Sequence, residues 1–317
     1  MAFSRYASID VGSNTVRLLL AEKTAGGDFH PLRVERRITR LGGNFSGEGK
    51  LDAGAVLRTI AALQFFADVL REERVETVFA VATGVVRAAK DGEEFIKQVH
   101  KLTGLSLHII SGEEEARLML RGVLWSLKGM APSWLVVDVG GWSTEIIWVK
   151  RNYPGATRSL PLGAVALREG FLKNDPPKEE ELELLKTHTR KILGELRQEF
   201  ERGGLKLDYL QPDLVGTAGT MTTLAAIDQR LLLYDPLKIN GHQISRQSLK
   251  KIYLNLNTIP ARERLSFPGL EKGREDLIVP GVAIVLGLLD VFKLKRVLVV
   301  DSGLLEGVLL QGISRFP

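Results

Sequence analysis

Cysteine is absent from the 317-residue chain. That absence excludes a disulfide framework, a thiolate zinc site and a cysteine nucleophile. Histidine is scarce: His30, His100, His108, His188 and His242 are scattered without metal-ligand spacing, which argues against zinc catalysis. No charge sign dominates. The 43 Lys+Arg against 38 Asp+Glu leave a net charge of +5, a weak argument for a polyanionic ligand, and no nucleic-acid duplex is expected as a partner. Apolar runs stay short of the ~20 residues that span a bilayer, and Met1 to Ala7 carry no basic and apolar leader, so a cytoplasmic chain without a membrane partner is expected.

What is present is a composition for folding. Hydrophobic residues at 44% and charged residues at 26% exclude a disordered chain, and the length suits about two domains. Many of the 32 glycines fall in short clusters directly after apolar runs.

The first such cluster follows Tyr6 to Ile9, which reads as a buried strand; Asp10 to Thr15 reads as a turn and Val16 to Ala21 as the returning strand. The plan recurs at Trp134 to Val137, Asp138 to Glu145 and Ile146 to Val149, with the two Asp-Val-Gly turns 128 residues apart. An echo at that spacing is too long for a solenoid repeat and points to two similar domains. Between the echoes, Asp52 caps an amphipathic helix reaching Leu70. Thr77 to Ala82 is strand-like, Gly92 to Leu102 helical, and Leu107 to Ile110 strand-like again. Downstream, Pro176 is expected in the first turn of a helix bearing Leu182, Leu185, Ile192, Leu196 and Phe200. Strands that alternate with helices define an α/β chain.

Four strand ends share one design: Asp10, Asp138, Gly216 and Asp301 are each followed by small or hydroxyl residues. One such turn is ordinary hairpin chemistry. Four favour anion binding, since glycines let backbone N–H groups approach an oxyanion and hydroxyls add donors. An Asp beside a phosphate loop makes sense facing Mg²⁺, a hard cation that prefers oxygen. Ser111 and Glu114 fit a capping box, leaving Glu113 and Glu115 either as solvated first-turn acids or as a general base. Arg87 and Arg274 follow small turns from which a guanidinium clamps phosphate, or else are solvated surface residues.

The ordered segments Asp10 to Arg17, Ala82 to Arg87, Ser111 to Arg117, Asp138 to Glu145, Ser159 to Val165, Gly216 to Thr220, Tyr234 to Pro236, Pro268 to Leu270 with Arg274, and Gly303 to Gly307 resemble the motifs of the exopolyphosphatase and guanosine pentaphosphate phosphohydrolase (Ppx/GppA) family. The resemblance implies two ribonuclease-H-like domains of the sugar kinase, heat-shock protein and actin superfamily with an interdomain cleft, in the family's short form. Residues 1–120 with 303–317 would form the first domain and residues 121–302 the second. It implies Glu115 as the residue that activates water, and Asp138, Glu145 and Asp10 as carboxylates associated with Mg²⁺. The implied phosphate-binding set is Gly12, Ser13, Asn14, Thr15, Arg87, Gly140, Gly141, Ser143, Thr144, Gly216, Gly219 and Thr220, with Trp142 and Arg274 selecting substrate.

The chain departs from the family pattern at several places. Trp142 stands where a third glycine is usual, a bulky residue expected to resist positive φ and to crowd phosphate; Gly84, Val85, Ala88, Ala166 and Asn240 also replace customary residues. The resemblance implies hydrolysis of the terminal phosphate of polyphosphate or of pppGpp. A non-catalytic sensor of the same ligands is the alternative, an ATP-dependent sugar kinase a weaker one, and a homodimer is left open.

Overall fold

The computed structural model describes residues 4–24, 28–45, 49–127, 133–150, 153–204 and 213–314. The chain divides into two compact units: Met1–Gly122 with Gly303–Pro317, and Val123–Ser302.

The first unit holds a five-stranded sheet in the order β3-β2-β1-β4-β5, with β1 Arg5–Val11, β2 Thr15–Lys23, β3 Phe29–Ile38, β4 Thr77–Ala82 and β5 Leu107–Ile109. Strands β1 to β3 form an antiparallel meander, while β4 and β5 join β1 in parallel through helical crossovers. Strand β1 lies mid-sheet and is buried on both faces, with Ala7, Ile9 and Val11 on one face and Ser8 and Asp10 on the other. The helix Ala53–Glu72 starts at Asp52, whose carboxylate accepts the Ala55 N–H at 2.8 Å. By length and composition this 20-residue helix passes for a membrane span, contrary to the expectation of no such run. It buries Ile60, Leu63, Phe66 and Leu70 and packs on β2 and on the helix Gly92–Thr103, as a core helix does.

The chain's last helix, Leu304–Ile313, packs on β1, β2 and β4, and Ser8 Oγ donates to the Leu305 carbonyl at 2.7 Å. Its close approach to the helix Gly112–Leu127 rests on two glycines: a Cβ at Gly307 would meet Leu118 O at 1.8 Å, and one at Gly122 would meet Gly303 O at 1.9 Å. Backbone cannot step aside as a side chain can. Gly307→Ala should therefore destabilise the chain by roughly 3 kcal/mol, the upper end for overpacking, measured by urea denaturation; an unchanged midpoint would contradict that packing.

The second unit repeats the plan with one added strand. Its sheet runs β10-β11-β9-β6-β7-β8, from β6 Ser133–Val139, β7 Thr144–Lys150, β8 Tyr153–Leu160, β9 Asp213–Thr217, β10 Gln243–Ser245 and β11 Arg296–Val299. Strands β6 to β8 form the antiparallel meander, β9 and β11 extend it in parallel, and β10 adds an antiparallel edge. Both sheets thus share the meander-plus-parallel order of a ribonuclease-H-like domain. The helix Ile278–Val291 is apolar on all sides and buried, packed against the helix Glu179–Arg202. Pro176 lies before that latter helix rather than in its first turn. Glu181 explains the shift: its carboxylate accepts the backbone N–H groups of Lys173 at 2.8 Å and Lys178 at 2.9 Å, wrapping the Asn174 to Pro177 loop outside the helix.

Candidate active site

The first unit brings three expected segments together. Across the β1–β2 hairpin, Asp10 pairs in register with Arg17, so the two side chains share one sheet face. Arg17 donates to Asp10 Oδ2 from Nη2 at 2.7 Å and from Nε at 3.2 Å. Asp10, expected beside Mg²⁺, is thus neutralised by a cation of the chain itself, and a divalent ion there would face the guanidinium charge. The tip closes through Gly12 N–H to Thr15 O at 3.1 Å. The Asn14 carbonyl accepts the N–H groups of Thr39 and Arg40, each at 3.0 Å. Asn14 Oδ1 and Nδ2 are buried with no partner among the described residues. An unsatisfied buried amide costs about 1–3 kcal/mol, a cost that ordered water or a ligand oxygen removes.

Ser13 Oγ accepts the Val85 N–H at 3.1 Å, tying the hairpin tip to the short helix Gly84–Ala88. That helix carries Arg87. Its Nη1 donates to Glu115 Oε2 at 2.7 Å and to the Ile110 carbonyl at 3.0 Å. Glu115 is 6% exposed, whereas Glu113 faces solvent, so helical periodicity separates the two acids that the sequence leaves equivalent. Ser111 Oγ accepts the Glu114 N–H at 3.1 Å, half of the expected capping box; the Glu114 carboxylate lies 3.8 Å from Arg117 Nη2. The guanidinium fixes the orientation of a buried carboxylate, which in its charged form is able to accept a proton from water.

The second unit repeats the hairpin with one change of charge. Gly140 N–H to Ser143 O at 3.0 Å closes the tip as in the first hairpin, but the register partner of Asp138 is Glu145 rather than an arginine. Both carboxylates are buried, at 7% and 1% exposure, and Ser159 Oγ donates to Glu145 Oε1 at 2.7 Å. Like charges directly opposite on one sheet face are unfavourable. Two hard oxygen donors placed so fit Mg²⁺, which typically takes one or two carboxylates and fills its shell with water and phosphate oxygens. Among the described residues no group of three or more Asp, Glu, His or Cys is placed to hold a metal ion.

The loop after Asp138 is held from below. Ala164 N–H donates to Gly140 O at 3.0 Å, and Val165 and Ala166 N–H groups donate to Gly141 O at 2.8 and 3.1 Å. A Cβ on Gly163 would meet Gly141 O at 2.2 Å, so only glycine lets the loop lie on that helix start. Trp142 is half-buried, and neither it nor Gly140 or Gly141 is at positive φ. The expected backbone conflict at Trp142 therefore does not arise.

Two of the expected phosphate donors are engaged elsewhere. Thr144 is fully buried and its hydroxyl donates to the Leu162 carbonyl. Gly216 sits inside the sheet between β6 and β11, where a Cβ would strike Met221 Sδ at 2.6 Å; its role is packing. Thr220 Oγ1 donates to Val139 O at 3.0 Å, bringing the start of the helix Ala218–Asp228 to the end of β6. Arg274 meets that same helix start: a Cβ on Gly219 would lie 2.2 Å from Arg274 Nη1. A guanidinium seated at a helix N-terminus places two positive potentials together, an arrangement that an anion relieves. Arg17 as the partner of Asp10, Gly163 as the loop's seat and Ser159 as the partner of Glu145 are not singled out by the sequence. The shared seven-residue spacing of Asp10 to Arg17 and Asp138 to Glu145 is the signal that marks the first.

The profile described as the Ppx/GppA phosphatase family matches residues 19–316. Exopolyphosphatase 2 of Mycobacterium tuberculosis is 31% identical over 98% of this chain and 99% of its own. The guanosine-5'-triphosphate,3'-diphosphate pyrophosphatase of Pseudoalteromonas translucida is 29% identical over 96% of this chain, which spans 58% of that longer protein. Among solved structures, an Aquifex aeolicus Ppx/GppA family member superposes with a TM-score of 0.78 at 34% identity, covering 99% of each chain. An exopolyphosphatase of Cytophaga hutchinsonii superposes with a TM-score of 0.89 at 25% identity, again covering 99% of each.

Proposed function

The chain belongs to the Ppx/GppA phosphatase family, and from that premise we propose that it hydrolyses the terminal phosphoanhydride of inorganic polyphosphate or of pppGpp with Mg²⁺. The observation that carries the reading is the buried Glu115 carboxylate held 2.7 Å from Nη1 of Arg87, on the short helix that Ser13 of the hairpin tip ties down through Val85. Glu115 takes a proton from water as the water oxygen attacks the terminal phosphorus in line. The anhydride P–O bond breaks, the shortened chain leaves with the bridging oxygen and its electron pair, and inorganic phosphate is released. Arg87 spends Nη1 on Glu115 and Ile110 and retains N–H groups on Nε and Nη2 for oxygens of the transferred group. Bound Mg²⁺, held by Asp138 and Glu145, would supply charge neutralisation at the phosphates. Arg274 and the first N–H groups of the helix Ala218–Asp228 are the anion donors of the second unit. Phosphate release from long-chain polyphosphate, short-chain polyphosphate and pppGpp, assayed side by side with Mg²⁺, tests the reading; binding without release on all three would replace it by the sensor.

Trp142 is the proposed discriminator. Its backbone needs no glycine, so Trp142→Gly changes the indole and little else. If the ring stacks on guanine, a contact worth about 1–3 kcal/mol per base, kcat/KM for pppGpp should fall roughly tenfold while that for polyphosphate holds. Equal changes on both substrates would remove the indole from substrate selection.

A further inference from the structure

Among the described residues of the second unit, Arg264 is the most buried charged residue outside the carboxylate pair, at 2% exposure, and the reaction as described makes no use of it. Its guanidinium spans three acceptors: Nε donates to Leu256 O at 2.7 Å, Nη1 to Glu275 O at 2.8 Å, and Nη2 lies 3.4 Å from Asp175 Oδ1. Burial pushes its pKa below the usual arginine value, opposed by Asp175 and Asp276. The carbonyl it holds belongs to the residue directly after Arg274. The rest of that loop is pinned to the helix Ala218–Asp228, because a Cβ on Gly269, at φ +90°, would lie 2.3 Å from the Ala226 carbonyl carbon. Arg274 itself is 11% exposed in its side chain and rests on Gly219, with Nε 3.2 Å from Glu271 Oε2.

We propose that Arg264 is a positioning residue that sets anion affinity through Arg274, by fixing the Glu275 carbonyl so that the Arg274 guanidinium stays over the start of the helix Ala218–Asp228. The proposal rests on the reading of Arg274 as an anion donor. The three contacts use three different nitrogens of the guanidinium, Nε, Nη1 and Nη2, and a lysine offers a single nitrogen in their place.

A double-variant cycle on phosphate binding tests this without turnover. Inorganic phosphate is titrated calorimetrically into wild type, Arg264→Lys, Arg274→Ala and the double variant. Arg274→Ala should weaken binding about tenfold, Arg264→Lys nearly as much, and the double variant no more than Arg274→Ala alone, since residues acting through one another are non-additive. Losses that multiply in the double variant, or wild-type affinity in Arg264→Lys, would overturn the proposal; so would unchanged affinity in Arg274→Ala. Should Arg264→Lys fail to fold, Asp175→Asn, whose side chain is 51% exposed, loosens only one arm of the fork. It should weaken binding by about threefold in wild type and not in the Arg274→Ala background; no effect in either background overturns the proposal. Phosphate binding with this pattern in a protein that releases no phosphate from any of the three substrates would sink the hydrolase reading and leave the positioning role standing.

Discussion

Glu115→Gln should lower phosphate release by about 10²–10⁴-fold, the usual contribution of a positioned general base, with substrate binding close to wild type. The amide keeps the shape of the carboxylate and can still accept the Arg87 N–H, so the helix start and the Ile110 contact survive. What it cannot do is take a proton from water. The neighbouring acids serve as controls: Glu113 is exposed and Glu114 lies beside Arg117, so Gln at either position should retain near-normal rates. A Glu115→Gln enzyme with more than about a tenth of wild-type turnover would remove Glu115 from the chemistry.

Asp138→Asn should raise the Mg²⁺ concentration for half-maximal activity by at least about 100-fold, since even outer partners of metal ligands cost 10–100-fold. Asp138 faces Glu145 across β6 and β7 where the first hairpin has Asp10 facing Arg17. In one hairpin the aspartate's register partner is an arginine; in the other it is a second carboxylate. Asp10→Asn is the matched comparison and should leave the Mg²⁺ titration in place while loosening Arg17. Equal titration shifts in the two variants would show that the Asp138 and Glu145 pair is not the metal's seat.

The hairpin echo is legible in the sequence because a hairpin's register is fixed by its own turn: seven residues separate Asp10 from Arg17 and Asp138 from Glu145, and the ladder makes each a facing pair. The Asp52 helix start is legible for the same reason, since a cap is a local bond. The misread features depend on contacts distant in sequence. Thr144 looks like a phosphate donor until Leu162 is seen to take its hydroxyl, and Gly216 looks like a loop glycine until it is placed between two parallel strands. Pro176 sits where a helix start would accept it, yet Glu181 folds the preceding loop away from the helix. The helix Ile278–Val291 shows no amphipathic period because every side of it is buried. The Arg264 contacts join residues up to 89 positions apart, beyond any local pattern.

The central claim, that water attacks the terminal phosphorus of a phosphoanhydride, is tested most directly by turnover in ¹⁸O-labelled water. Polyphosphate or pppGpp is digested with wild-type protein and Mg²⁺, and both products are weighed by mass spectrometry. One ¹⁸O is expected in each molecule of released inorganic phosphate and none in the shortened chain or nucleotide. Label in the remaining chain or nucleotide, or phosphate release that continues unlabelled, would contradict it.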